Sequence, residues 1–159
     1  MKQNKPPKIG IADTTFARID MADFALHVLQ KEAPDLAIER YTVPGFKDLP
    51  VACKKLIEEY HCNIVIALSM AGHAKIDEQC AAEASNGIMQ VQLMTNTHIL
   101  NVMVYTNEEK NEKKLYALAK DRVIKHTKNA LFLLRGKTTL TPFAGKGKRQ
   151  GSNDAGAIP

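Results

Sequence analysis

Three short stretches hold most of the residues equipped for chemistry, and each begins where an apolar run stops. The first is Thr42-Val43-Pro44-Gly45-Phe46-Lys47-Asp48-Leu49-Pro50. Pro44 and Gly45 shape a tight turn and Phe46 offers an aromatic face. Lys47 and Asp48 supply a cation and a carboxylate able to bind hydroxyls or move a proton. The second stretch is Asp13-Thr14-Thr15-Phe16-Ala17-Arg18. Phe16 in such a polar loop either plugs the core or presents its ring to a flat heterocycle, a contact worth about 0.5–1.5 kcal/mol beyond area burial. The third is Ser69-Met70-Ala71-Gly72-His73, with Lys75 and Asp77 close behind. His73 and His98, taken singly, suit a structural or solvated role. Asn101 interrupts an apolar run, where an unpaired amide is costly, so it must pair internally or face a ligand.

These stretches need a scaffold, and the hydrophobic periodicity supplies one. Lys8 to Ala12, Ile38 to Thr42, Asn63 to Leu68 and His98 to Tyr105 read as strands. The third is a continuous apolar run, as expected of a central parallel strand covered on both faces. A helix starts near Asp20, whose carboxylate can cap it, and Met21, Phe24, Ala25, Val28 and Leu29 form its buried face, with Pro34 marking the end. A second helix follows Asp48 as cap with Pro50 in the first turn, burying Leu49, Ala52, Cys53, Leu56, Ile57 and Tyr60. A third runs from about Ala74 to Met94 and is rich in small residues that let another element approach closely. A fourth opens at Thr106-Asn107 and runs to Leu134, with one apolar side for the sheet and a second for something else, such as another subunit.

The β-α order repeats four times, which predicts an α/β fold: a three-layer α/β/α sandwich around a four-stranded parallel sheet, flavodoxin-like in layout. In such sheets ligands bind beyond the carboxyl ends of the strands, where all three chemical stretches fall. Residues 1–134 form a single domain, and residues 135–159 a basic, Gly-rich, loop-like tail.

Composition narrows the function classes. The chain has 159 residues, a formal charge of +5 and three cysteines without CxxC spacing. No apolar run reaches the ~18 residues of a membrane span and the N-terminus carries no leader-like apolar core, so a reduced, cytoplasmic setting is expected. His61-Cys62 lacks companions at ligand spacing, which argues against a metal centre. Arg135, Lys137, Lys146, Lys148 and Arg149 stand against Asp154 alone in the tail, but without interleaved aromatics they make a poor nucleic-acid surface. Lys146 between Gly145 and Gly147 lacks the spacing of a phosphate loop. Leu68-Ser69 replaces the acceptor aspartate that a receiver domain needs. A flavin mononucleotide module stays open on layout alone.

The chemical stretches, taken together, resemble the archaeal riboflavin synthases, a lumazine synthase-like family. The resemblance rests on Asp13-Thr14-Thr15-Phe16-Ala17-Arg18, on Thr42-Val43-Pro44-Gly45 with Lys47-Asp48-Leu49-Pro50, on Glu83-Ala84-Ser85, and on Gln92-Leu93-Met94-Thr95-Asn96. It extends to Ala144-Gly145-Lys146-Gly147 with Arg149-Gln150-Gly151, and so covers nearly the whole chain. It implies a homopentamer with sites between adjacent subunits. There, two molecules of 6,7-dimethyl-8-ribityllumazine become riboflavin and 5-amino-6-(ribitylamino)uracil. No organic cofactor is implied, no metal ligand is assigned, and a divalent ion such as Mg2+ is left open.

Stacking and orienting two flat heterocycles can lower a bimolecular barrier by several kcal/mol. On the resemblance, Thr14, Thr15, Phe16, Val43, Pro44, Gly45, Phe46, Ser69, Met70, Ala71, Lys75, Asp77, Thr95, Asn96, Arg149 and Gln150 contact substrate. Phe16 stacks on one ring, and backbone from Val43 to Phe46 meets ring or ribityl groups. The reaction begins with loss of a proton from the C7 methyl group of one lumazine, and the carbanion delocalises into the ring, so a modest base suffices. His73 is the leading candidate, with Lys47 and Asp48 as others. Lumazine synthases carry a longer phosphate-holding loop where this chain has Ser69-Met70-Ala71-Gly72-His73-Ala74-Lys75. A site without that cradle suits substrates lacking phosphate. The alternatives are lumazine synthase itself and a non-catalytic flavin or lumazine carrier.

Overall fold

The computed structural model describes residues 6–159. The N-terminal reading above falls partly on residues 1–5, outside the described residues. The strands are β1 (Lys8–Thr14), β2 (Ala37–Val43), β3 (Ile64–Ala71) and β4 (Ile99–Tyr105). They alternate with helices α1 (Met21–Glu32), α2 (Leu49–Glu58), α3 (Lys75–Thr95) and α4 (Glu112–Arg135). All pairings are parallel, in the order β2-β1-β3-β4. β3, buried at every position, is the hydrophobic spine of the sheet. Ile9, Ile11, Ile66 and Leu68 point toward α1 and α4 on one face, while Ala12, Val65 and Ala67 point toward α2 and α3 on the other. This is the three-layer architecture expected from the alternation of elements.

The small residues of α3 serve the close approach predicted for them. Gly87 faces Pro50 of α2, and a Cβ there would lie 2.8 Å from the proline ring. Asn101 resolves inward: its Nδ2 donates to Ser85 Oγ of α3 at 2.9 Å.

Several element ends differ from expectation. β1 continues through Asp13 and Thr14, and β3 through Ser69, Met70 and Ala71, because neighbouring strands still offer pairing there. Ser69-Met70-Ala71 is therefore buried strand and not exit loop. The fourth helix starts at Glu112 because Asn111 Oδ1 accepts from Lys114 N at 3.1 Å and caps it. Before it, Thr106 N–H donates to Ala71 O and Glu108 N–H to Tyr105 O, folding residues 106–111 into a turn. Asp48 does not cap α2 with its side chain. Its Oδ2 instead accepts from Gly45 N at 3.4 Å, closing the one-turn 3-10 helix Phe46–Asp48. Tyr60 lies past the end of α2 and is exposed. The tail, as expected, is loop from Ala144 onward, and after a 3-10 turn at Thr141–Phe143 it folds back along α4.

Candidate active site

Register fixes the first wall of the site. β1 and β2 pair to their last residues, Thr14 against Val43, and the chain beyond them stays zipped. Thr15 N–H donates to Val43 O at 2.9 Å, Phe16 N–H to Pro44 O at 3.1 Å, and Thr15 Oγ1 to Pro44 O at 3.2 Å. Beneath this zip lies Asp13, a buried carboxylate. It accepts from Arg40 Nη2 at 2.5 Å and Thr42 Oγ1 at 2.6 Å, and Arg40 reaches Asp20 at 3.4 Å. The carboxylate so ties the ends of β1 and β2 together directly under the Phe16 loop.

Phe16 is 52 % exposed, so it is no core plug. Its ring meets Phe46 edge-on at 5.9 Å. Phe46, expected to offer a stacking face, is buried and belongs to the core under α2 and α3. It supports Phe16, whose own ring has a free side. Phe16, Gly45, Phe46, Lys47, Asp77 and Cys80 line one hollow of about 220 Å3. Thr14 and Thr15 line a neighbouring one of about 280 Å3 with Asp13, Arg18, Arg40 and Thr42.

Lys47 Nζ lies 2.7 Å from Glu83 on α3. That hydrogen bond, with the Cys80 thiol and the Glu83 charge nearby, raises the ammonium above the usual lysine range, and Glu83 is correspondingly lowered. Lys47 is thus held as a cation, suited to binding and ill-suited to taking a proton at neutral pH. Asp77 sits on the first turn of α3 with its carboxylate closed over Gly72. Burial pushes the Cys53 and Cys62 thiols up to about 12 and about 11, which leaves them inert as nucleophiles.

The remaining predicted residues separate into groups. Ser69, Met70 and Ala71 are buried in β3; Ser69 Oγ donates to Met103 Sδ at 3.0 Å and Met70 borders only a crevice with Arg18 and Tyr116. Their side chains lie below the opening, because the strand continues past the point where a loop was expected. His73 and Lys75 are exposed at the turn into α3. Thr95 and Asn96 end the 21-residue α3, roughly 30 Å from its start at 1.5 Å per residue, and so near the amino ends of the strands. Asn96 there adopts the left-handed cap conformation. Within one chain neither can reach Phe16.

Arg149 and Gln150 line a third cavity, about 460 Å3, between α4 and the tail. Lys125, Lys128, Asn129, Phe132 and Phe143 contribute to it. Asp13, Arg40, Cys80 and Glu83 were missed as site residues. Asp13 opened the polar stretch, but only strand pairing reveals it as buried and paired. Glu83, on the next helix, gives no local sign of meeting Lys47. Among the described residues no group of three or more His, Cys, Asp or Glu side chains is arranged to hold a metal ion, and Asp13 is taken up by Arg40 and Thr42.

Comparison with known proteins agrees with this layout. The model of the 6,7-dimethyl-8-ribityllumazine synthase family matches residues 6–135. A riboflavin synthase of Methanothermobacter thermautotrophicus is 51 % identical over 95 % of this chain and 99 % of its own length. Those of Archaeoglobus fulgidus and Aeropyrum pernix are 47 % and 41 % identical, over 95 % and 94 % of this chain and 98 % and 97 % of theirs. With a family model spanning the whole sheet and relatives this similar from end to end, the chain belongs to the lumazine synthase-like family, on its archaeal riboflavin synthase branch.

Proposed function

We propose that this protein is a riboflavin synthase, which moves a four-carbon unit between two molecules of 6,7-dimethyl-8-ribityllumazine to give riboflavin and 5-amino-6-(ribitylamino)uracil. The observation that carries this is the extent of the match. Similarity to riboflavin synthases takes in 95 % of the chain and so runs into the tail, whereas the broader family model stops at residue 135. Phe16, exposed on a zipped loop, supplies the stacking ring, and Lys47 a permanent cation for ribityl hydroxyls or ring oxygens. His73, at the exit of β3, takes the C7 methyl proton; Lys47 is held protonated and Asp48 is turned to Gly45.

The reading includes a homopentamer in which one subunit brings the Phe16 hollow and a neighbour brings residues that lie elsewhere in their own chain, among them Arg149 and Gln150. Ile76, Met89, Leu93 and Met94 leave an apolar stripe exposed along α3, an area suited to subunit contact. It also includes a cytoplasmic setting, in keeping with the free thiols Cys53, Cys62 and Cys80. No helix among the described residues is long and apolar enough to cross a membrane. No step here is assigned to Mg2+.

The test is to incubate the purified protein with 6,7-dimethyl-8-ribityllumazine alone. Riboflavin and the pyrimidine should appear in equal amounts. Lumazine formed only from the pyrimidine and dihydroxybutanone phosphate would make it a lumazine synthase, the name its family model bears. Binding without turnover would make it a carrier.

A further inference from the structure

Away from the Phe16 hollow, a polar network joins α4 to the end of β4 and to the tail. The guanidinium of Arg122 meets Glu108 in a two-pronged pair, Nη1 to Oε1 at 2.6 Å and Nη2 to Oε2 at 2.7 Å. Nη1 also donates to Met103 O at 3.0 Å, and Nε to Gln150 O at 3.3 Å. Glu108 Oε1 accepts in addition from Tyr105 N at 2.9 Å. One arginine so joins the end of β4, the turn after it and the tail. Both side chains are largely buried, at 15 % and 27 % exposure. Partial burial by itself would raise the Glu108 carboxyl, but the hydrogen bonds from Arg122 and Tyr105 N–H outweigh it and hold the group below the usual range.

The next residues of α4 and the tail complete the fastening. Asp121 Oδ2 accepts from Gly151 N at 3.0 Å, and Lys125 Nζ donates to Ser152 O at 3.2 Å. Asp154 Oδ1 accepts from Arg149 N at 3.1 Å and Oδ2 from Lys148 Nζ at 2.7 Å. Gly151, at φ +82°, lies so close to the Arg122 guanidinium that a Cβ would collide with it. Four of these contacts hold the backbone of residues 149–152, at Arg149 N, Gln150 O, Gly151 N and Ser152 O, while the side chains of Arg149 and Gln150 line the cavity beside α4.

We infer that Arg122 and Glu108 are positioning residues that clasp the tail to the end of β4 and thereby fix where Arg149 and Gln150 stand toward substrate. Neither need touch the lumazine. The inference rests on the proposed function, because it needs a lumazine site to position. Lysine cannot replace Arg122, since a single ammonium cannot span a carboxylate and two carbonyls in fixed directions.

The test compares wild type with Arg122→Lys, Glu108→Gln and Gly151→Ala, the last dislodging the tail without altering α4. Amide hydrogen exchange at Gly151 and Ala155 reads docking, and steady-state kinetics with 6,7-dimethyl-8-ribityllumazine reads the site. Exchange should quicken in all three variants. KM should rise about tenfold with kcat within about twofold, the pattern of lost uniform binding. Arg149→Ala/Gln150→Ala should reproduce the KM change without the exchange change, and adding Arg122→Lys to it should raise KM little further. Faster exchange with unchanged KM would show that the docked tail does not serve the site and overturn the inference. A raised KM with unchanged exchange would overturn it too, by making Arg122 a direct contact. A wild type that forms no riboflavin defeats the functional reading and the inference together, an outcome distinct from a working enzyme with indifferent variants.

Discussion

The Phe16 loop and the C-terminal tail, the first and second walls of the proposed site, are held by different physics. Around Phe16 the backbone does the work: Thr15 and Phe16 continue the β1–β2 ladder onto Val43 and Pro44, with one buried carboxylate beneath. Around Arg149 there is no ladder, and side-chain charges of α4 grip tail carbonyls and amides. A ladder holds atoms in place whatever the side chains are, so it suits the wall where a ring must be oriented. A charge-stapled segment depends on a few residues and on pH, and suits a wall that supplies affinity. The difference predicts that damage to the first wall lowers turnover or stability, whereas damage to the second raises KM.

The largest effect should come from His73→Ala. On its proposed role as general base, whose loss typically costs on the order of 10²–10⁴ in rate, kcat should fall by about 100-fold or more with KM little changed. Rapid-quench formation of riboflavin from saturating lumazine measures this, and an undiminished kcat would assign the base to another residue.

Asp13→Ala should rank next. It removes acceptors from Arg40 and Thr42 under the Phe16 loop. Hydrogen bonds to charged groups contribute about 1.5–3 kcal/mol each, and Arg40 is 39 % exposed, so water makes up part of its loss. A loss of about 2 kcal/mol in urea unfolding is expected, larger than for Arg122→Lys, whose network is spread over a segment outside the sheet. Equal losses would erase the contrast between ladder and staple.

Phe16→Ala should leave the fold intact, because the ring is half exposed and touches Phe46 by its edge. Lumazine affinity should drop by about 1 kcal/mol, roughly fivefold, the size of an aromatic stacking contact. Fluorescence titration with the lumazine measures it, and unchanged affinity would leave Phe16 as a mere cover for Phe46.

The legible parts of the site follow the same division. Hydrophobic alternation and continuous apolar runs marked all four strands, so the Thr14–Phe16 and Val43–Lys47 turns fell where ladders end. Strand ends were less legible: Ser69 and Met70 look like loop residues, and only pairing with Met103 and Val104 of β4 draws them into the sheet. Contacts between distant segments were illegible, because Glu83 beside Lys47, Arg40 beside Asp13 and Arg122 beside Gln150 show no local pattern. The docking of the tail is illegible for the same reason, though its loop character is not. Its glycines and charges are those of a mobile terminus, and its order comes from partners on α4.

The smallest effect concerns acid, and it separates the walls by pH. Burial lowers the His126 imidazole on α4 below its usual value near 6.5, and the Arg122 charge lowers it further. Between that ordinary value and the depressed folded one, the unfolded chain binds the proton more readily, so stability is full at pH 7 and falls as pH drops below about 6.5. The Lys47–Glu83 pair behaves otherwise. Its carboxylate is lowered chiefly by the hydrogen bond from Lys47, so the pair persists until pH falls below the ordinary glutamate range. From pH 7 to pH 5, thermal unfolding should therefore weaken modestly, and His126→Gln should flatten the change while Glu83→Gln does not. The protection factor at Gly151, taken against the intrinsic exchange rate at each pH, should fall over the same interval, while amides at Thr15 and Phe16 keep theirs. A pH profile untouched by His126→Gln would remove His126 as the acid-sensitive group and leave the carboxylates Glu108 and Asp154, both lowered by their partners, to be tested next.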